Sequence, residues 1–294
     1  MHPGGAHEDR TWASVTEVPQ ITYVDVFGQT PLLGNPVAVV HDASALDDAT
    51  MAAFARWTNL SETTFLLPAT RPDADYRVRI WTTDGELPFA GHPTLGTAHA
   101  WLQAGGVPHD PDWVMQECAA GLIRVRRQPD RLWFTAPPLM RSGPVAPDVL
   151  ALALASVGLS DADLIEANWV DNGPGWLGLH VTDAAAVLRA VPDVSTMGDL
   201  KVGLVGRYLG GGPADVEVRA FYPGLGSPED PVTGSLNASL AQWLIGSGSL
   251  PSAYIASQGT AVGRAGRVHI RHDDGDVWVG GATVSLIRGT FDLR

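Results

Sequence analysis

Three side chains in this sequence stand where they could move a proton. Glu62 lies in NLSETTFLLP, flanked by apolar residues that read as a strand entering a core. A carboxylate in an apolar pocket has its pKa raised, because losing water disfavours the charged form. Such an acid can take a proton from one carbon and return it to another. The same pattern fits a Glu on an edge strand facing water, and the pattern alone does not separate the two. His92 follows Gly91 and precedes Pro93 in ELPFAGHPTLG. A His at such a corner can donate a proton, bind a carboxylate or cap a helix. Asp230 sits in SPEDPVTGSLN, where Pro231 restricts it to extended backbone. Asp is also a good helix cap, but Asp230 stands several residues ahead of the expected helix start, and Glu229 beside it reads as a solvated neighbour.

The two corners share a design. Each places a glycine, Gly91 or Gly234, immediately before an apolar helical run. Glycine allows a ligand to approach the backbone closely, and a helix start presents unpaired N–H groups with a partial positive charge. Two facing helix starts could hold a carboxylate or phosphate between them; the alternative is that both glycines only make turns.

Other chemistries find less support. The chain has no phosphate-binding loop, no HExxH, and no GxGxxG opening a helix after a strand. Ser235 follows Gly234, but TGSLN lacks the second glycine of a nucleophile elbow, which leaves a serine hydrolase built on Ser235, His92 and Asp230 as the weakest alternative. The histidines are dispersed, and His99, inside its helix, reads as a satisfied core group. Cys118 is the only cysteine, so no intrachain disulfide and no cysteine-based zinc cluster can form. A net charge of −13 repels nucleic acid and anionic membranes at long range. The longest apolar run, Val149 to Leu159, is too short to span a bilayer and reads as a buried helix. The first twenty residues lack the apolar core of a signal peptide and read as a loose extension. A cytoplasmic protein is the expectation.

What positions these residues is a duplicated architecture. VAVVHDASAL and LGLHVTDAAAVL align with Asp42 opposite Asp183. The Val-Arg pairs of YRVRIWTT and VEVRAFYP repeat at nearly the same offset, and so do Leu95 and Leu236 of the two corner helices. That offset, about 140 residues, is far longer than a solenoid repeat and suggests two halves of ordinary domain size. Each half reads as two strands, a helix (near Asp47 to Thr58 and Asp183 to Ala190), further strands, then a helix apolar nearly all round. Such a helix is a buried one. The strands expected around the first include Glu62 to Leu67 and Tyr76 to Thr82. Two equivalent halves that meet face to face would point both corners into the cleft between them.

The blocks YVDVFGQTPLLGNPVAVV, NLSETTFLLP, ELPFAGHPTLGTAHAWL and EDPVTGSLNASLAQWL, in this order and spacing, resemble the phenazine-biosynthesis PhzF-like family from about Ile21 to the C-terminus. The resemblance implies an α+β, diaminopimelate epimerase-like fold: two pseudo-symmetric domains, each a mostly antiparallel barrel around a central helix. It places the N-terminal domain at 21–138 plus about 284–294, the C-terminal domain at 139–283, and an N-terminal extension at 1–20. It implies a homodimer without metal or organic cofactor that isomerises a small carboxylic acid by proton transfer at carbon. Residue by residue, it makes Glu62 the proton shuttle, with His92 and Asp230 positioning the substrate and assisting. Gly91, Thr94, Gly234 and Ser235 form the expected substrate-binding set. Relatives with diaminopimelate epimerase or proline racemase activity use two cysteines, one at each corner helix. Here Thr94 and Ser235 stand near those places, so a two-thiol racemase is excluded. The repeat sets Gly203 opposite Glu62, so only one half carries the glutamate. A protein that binds in the same cleft without turnover remains the alternative.

Overall fold

A computed structural model of the chain describes residues 19–223 and 228–292. The expected extension therefore lies outside the described residues up to residue 18, and its boundary moves: Gln20 already opens the first strand. The first half runs β1 (Gln20–Val26), β2 (Asn35–Val40), α1 (Asp48–Thr58), β3 (Thr63–Leu67), β4 (Tyr76–Trp81), β5 (Glu86–Leu87), α2 (Gly91–Gln103), β6 (Trp113–Cys118), β7 (Gly121–Arg127) and β8 (Leu132–Thr135). The second runs β9 (Arg141–Gly143), α3 (Pro147–Ser156), β10 (Leu164–Asp171), β11 (Trp176–Val181), α4 (Ala184–Arg189), α5 (Val194–Met197), β12 (Lys201–Arg207), β13 (Val216–Phe221), β14 (Glu229–Asp230), α6 (Gly234–Gly246), β15 (Ala253–Gln258), β16 (Gly266–Asp273), β17 (Asp276–Gly281) and β18 (Thr283–Thr290).

The repeat in the sequence is a repeat of strand pairing. In the first half β1 pairs antiparallel with β2, β2 parallel with β3, β3 antiparallel with β4, and β4 parallel with β6. In the second, β10, β11, β12, β13 and β15 repeat that alternation. The register repeats too: Ala38 pairs with Thr63, and their counterparts in the second half, Leu179 and Leu204, pair with each other. The halves exchange edges. β8 pairs with β17 and β18 with β1, both antiparallel, while β9 pairs antiparallel with β10 inside the second half. The segment FTAPPLMRSGPVAPD, which lacks periodicity, thus contains the short strand β9.

Helices α2 and α6 fill the two halves. Leu95, Ala98 and Ala100 of the first, and Leu236, Ala238, Leu240 and Leu244 of the second, are buried in one core with the valines of the surrounding strands. Each such side chain contributes roughly 1.5–3 kcal/mol of apolar burial if it is of leucine or valine size. The outer helices start differently. Asp47 caps α1 by accepting from the Thr50 amide at 2.8 Å, and Asp183 caps α4 through Ala186 at the same distance. Asp42, aligned with Asp183 in sequence, caps neither; it has positive φ and leads a single 3-10 turn. Helix α3 is only partly buried. Ala153 and Leu154 face the core, while Leu152 is 43% exposed. Among the described residues, no helix is long and apolar enough to cross a membrane.

Candidate active site

The two central helices meet start to start. A methyl added at Gly234 would lie 3.1 Å from the Cα of Gly91 and 3.2 Å from the His92 nitrogen, so only glycine lets the termini come this close. Neither start is capped by a side chain: the N-cap residues are Ala90 and Thr233, and neither makes the usual bond. The first intrahelical amide donors are Thr94 in α2 and Asn237 in α6, so the amides of Gly91, His92, Gly234, Ser235 and Leu236 precede the ladder. Each helix start carries about half a positive charge. Two such ends in contact repel one another unless an anion sits between them.

Thr233 does not cap because its groups are used elsewhere. Its hydroxyl donates to Asp230 Oδ2 at 2.6 Å and accepts from Gln258 Nε2 at 2.9 Å. Asp230, 8% exposed, closes the β13–β14 pair opposite Ala220. Its other oxygen accepts from Asn35 Nδ2 at 3.0 Å, and Ser61 adds a smaller pull toward the charged form. Burial pushes the Asp230 carboxyl up, and these donors pull it back toward the ionised form.

Glu62 stands immediately before β3, not inside it. The helix ahead of it ends at Asn59 in left-handed conformation, which turns the chain inward. The Glu62 side chain is 13% exposed and its Oε2 lies 3.4 Å from His92 Nε2, whose side chain is 4% exposed. Neither atom has a hydrogen-bond partner, although both are buried. Burial first, and the charge of Asp230 second, push the Glu62 carboxyl well above the usual carboxylate range. Burial holds the His92 imidazole down to about 3, so it is neutral at pH 7. The sequence pattern around Glu62 is open between apolar pocket and wet edge; the structure places it in the pocket.

The remaining expected residues divide. Gly91 and Gly234 form the helix contact just described. Ser235 is half-buried and its hydroxyl accepts from the Trp176 indole at 3.0 Å, while His92 faces Glu62 instead. That is not the hydrogen-bonded pair a serine nucleophile needs. Thr94 is fully buried and its hydroxyl accepts from Gln116 at 2.8 Å, part of a core chain that continues to Tyr76. Thr94 is thus tied to the core and not to the group around Glu62. His99 is satisfied by Thr283 and Ser285. Glu229 corrects the expectation of a solvated neighbour: it is 4% exposed and takes a two-pronged bond from Arg219 at 3.0 and 2.6 Å. Among the described residues, no group of three His, Cys, Asp or Glu side chains is arranged to hold a metal ion.

The profile of the family described as phenazine biosynthesis-like protein matches residues 24–289. The chain belongs to that family. It is 32% identical over 284 residues to antisense-enhancing sequence 1 of Schizosaccharomyces pombe, covering 90% of this chain and 96% of that one. It is 34% identical over 282 residues to the trans-2,3-dihydro-3-hydroxyanthranilate isomerase of Pseudomonas aeruginosa, covering 89% and 93%. The crystal structure of a phenazine biosynthesis protein of the PhzF family from Enterococcus faecalis superposes with a TM-score of 0.78 at 25% identity, covering 94% and 100%. This phenazine biosynthesis-like chain is an isomerase of the α+β, diaminopimelate epimerase-like fold.

Four residues around the site do not stand out in the sequence. Asn35 donates to Asp230, and Ser61 pulls the same carboxyl toward its charged form. Gln258 holds Thr233 from both sides of its amide group, accepting from the Thr233 N–H at 2.9 Å. Trp176, the counterpart of Asn35 at the start of the equivalent strand, reaches Ser235. The equivalence of Asn35 and Trp176 is available from the repeat; their partners are not, because both bonds run to distant elements.

Proposed function

We propose that this chain moves a proton between two carbons of a small carboxylic acid, using Glu62 as general acid and base and no metal or organic cofactor. The observation that carries this reading is the pair Glu62 Oε2 and His92 Nε2: 3.4 Å apart, buried, unpartnered, and beside two uncapped helix starts in contact. Buried polar atoms without partners are uncommon, and here they mark where a ligand completes the site.

Substrate carboxylate would sit on the amides at Gly91, Gly234 and Ser235, placing its carbons against Glu62. Glu62 gives a proton to one carbon and takes one from the other, so that one C–H bond forms, another breaks, and the intervening double bond shifts. A raised pKa suits both half-steps, because the carboxylate is a stronger base and the acid form stays populated. Neutral His92 and ionised Asp230 hold the substrate and polarise it. The relative's named substrate, trans-2,3-dihydro-3-hydroxyanthranilate, is the first compound to assay.

In deuterated water the product should carry deuterium at carbon. Glu62→Gln should lower the rate by a factor of about 10² or more, the scale of a removed general acid–base group. Turnover by Glu62→Gln at the unmutated rate would sink the mechanism; a ligand that binds tightly and returns unchanged would favour the binding-protein alternative. The same reading carries a homodimer in the cytoplasm. Light scattering should return twice the chain mass of 31.1 kDa, and dialysis against a chelator should leave turnover intact.

A further inference from the structure

Asn35 opens β2 and is 1% exposed. Its amide has two hydrogens, and both cross to the other half: one to Asp230 Oδ1 at 3.0 Å, one to the Val232 carbonyl at 2.9 Å. A third contact, 3.4 Å to His92 Nδ1, is left without a hydrogen from Asn35. The imidazole therefore keeps its own proton on Nδ1 and turns a bare Nε2 toward Glu62. The Pro36 backbone agrees: it favours a proton on the His92 ring, as an acceptor does, and a proline can only accept. Asn35 thus touches two of the three groups of the site and is delivered by a rigid loop. The buried Asp25 carboxylate accepts from the Gly34 amide at 3.1 Å, and a side chain at Gly34 would meet the Val26 carbonyl at 2.3 Å.

Glu62 and Asp230 are treated very differently by their surroundings. Asp230 receives donors from Asn35 and Thr233. Glu62 Oε2 receives none. The other ionisable groups nearby do not reverse this. Neutral His92 faces Glu62 from α2, and Glu229, adjacent on β14, has its charge matched by Arg219 of β13.

We propose that Asn35 is a positioning residue that decides which member of the Glu62–Asp230 pair holds the resting proton: by donating to Asp230 across the two halves it keeps that carboxylate ionised and the proton on Glu62. The significance for turnover rests on Glu62 being the acid–base group, but the placement of the proton does not, and it can be read without any substrate.

The test is a carbon-13 NMR titration of side-chain carboxyl carbons in the full chain, with the two resonances assigned through Glu62→Gln and Asp230→Asn. In the unmutated protein Asp230 should ionise first and Glu62 well after it. Asn35→Ala should move the Asp230 step up by about one pH unit, a tenfold change on the scale of one lost donor to a charged group. Part of the Glu62 signal should then titrate in that acid step. A loss of packing alone would leave the order and the positions of the steps unchanged. Asn35→Asp, nearly isosteric, guards against misfolding of the alanine variant. There two carboxyls must share one proton, and the acid step should rise further. If a folded variant, judged by its near-ultraviolet circular dichroism, shows Asp230 titrating where it does in the unmutated protein, the proposal is overturned. If instead the titration shifts but Glu62→Gln still turns over substrate, only the catalytic reading falls.

Discussion

Adding one methyl to each of the touching glycines tests whether the helix starts meet as described. In Gly91→Ala the new carbon would lie 2.5 Å from Phe134 Cζ and 3.0 Å from its Cε1. Carbon atoms pack at about 3.5–4.0 Å, so the ring must move by about 1 Å. Phe134 is fully buried and stands edge-on to Phe89 at 5.7 Å, so it has little room to yield. Overpacking of this kind costs about 1–3 kcal/mol, and alanine in a helix returns at most about 1 kcal/mol. The net loss, about 0–2 kcal/mol with that return in full, should lower the melting temperature by up to a few degrees. In Gly234→Ala the contacts are looser, 3.1 to 3.3 Å, but all three are to backbone of Gly91 and His92. The termini separate by a few tenths of an ångström, and the amides proposed to hold the substrate carboxylate shift with them. Stability should change less than in Gly91→Ala, while kcat/KM falls by about tenfold or more, because small misplacements of binding groups are costly in rate. Thermal unfolding by circular dichroism and initial rates measure the two effects. If Gly234→Ala keeps full activity and Gly91→Ala keeps the original melting temperature, the two helix starts are not in contact and the anion site does not exist.

The repeated Arg–Glu pairs offer an internal control. Arg219→Met strands the buried Glu229 and should cost about 3–5 kcal/mol in urea unfolding. Arg79→Met, whose partners Asp48 and Glu86 are exposed and half-exposed, should cost a small fraction of that. Equal losses would contradict the burial difference. The site also sets opposite pH trends. Folding lowers His92 from 6.5 to about 3, so the unfolded chain binds that proton more readily, and the stability present above pH 6.5 is lost as pH falls toward 3. Folding raises Glu62, so its contribution is complete below 4.5 and is lost as pH rises through the folded value. Unfolding midpoints across pH should therefore flatten on the acid side in His92→Asn and on the alkaline side in Glu62→Gln. The reverse assignment would refute both directions.

The architecture is legible because burial repeats on a fixed interval. Two helices apolar nearly all round, at equivalent places in two halves, leave few arrangements other than two similar shells of strands. The resemblance of four sequence blocks then supplies the residue set. What stays hidden depends on tertiary closure. Glu62 looks ambiguous because the atoms that enclose it come from elsewhere: His92 from the start of α2, and Asp230 from the other half of the chain. Glu229 misleads because its cation stands on the neighbouring strand, two places along from the Phe221–Glu229 pair, and pairing register is not written in either segment alone. Thr94 enters the substrate-binding set by analogy with a position and not by where its hydroxyl finds a partner. Asn35 carries no signal at all in isolation, since an Asn before a Pro reads as turn chemistry.

The duplicated scaffold also explains why its chemistry is asymmetric. Thr63 and Leu204 occupy equivalent places in the pairing register, which makes Gly203 the counterpart of Glu62. A side chain at Gly203 would meet Leu236 Cδ1 at 2.3 Å. Leu236 belongs to α6, so the space a second glutamate would need is filled by the central helix. The second carboxyl comes instead from β14, at a position with no acidic counterpart: the pairing register sets Leu87 of β5 opposite Asp230. Two carboxyls in related sites would share a proton with no preference. Two in unrelated sites, one accepting from Asn35 and Thr233 and one with a buried oxygen that has no partner, are held differently. A scaffold symmetric in its helix starts and asymmetric in its acids fits the proposed transfer of one proton between two different carbons by one group better than the mirror-image removal and delivery that a two-base racemase performs.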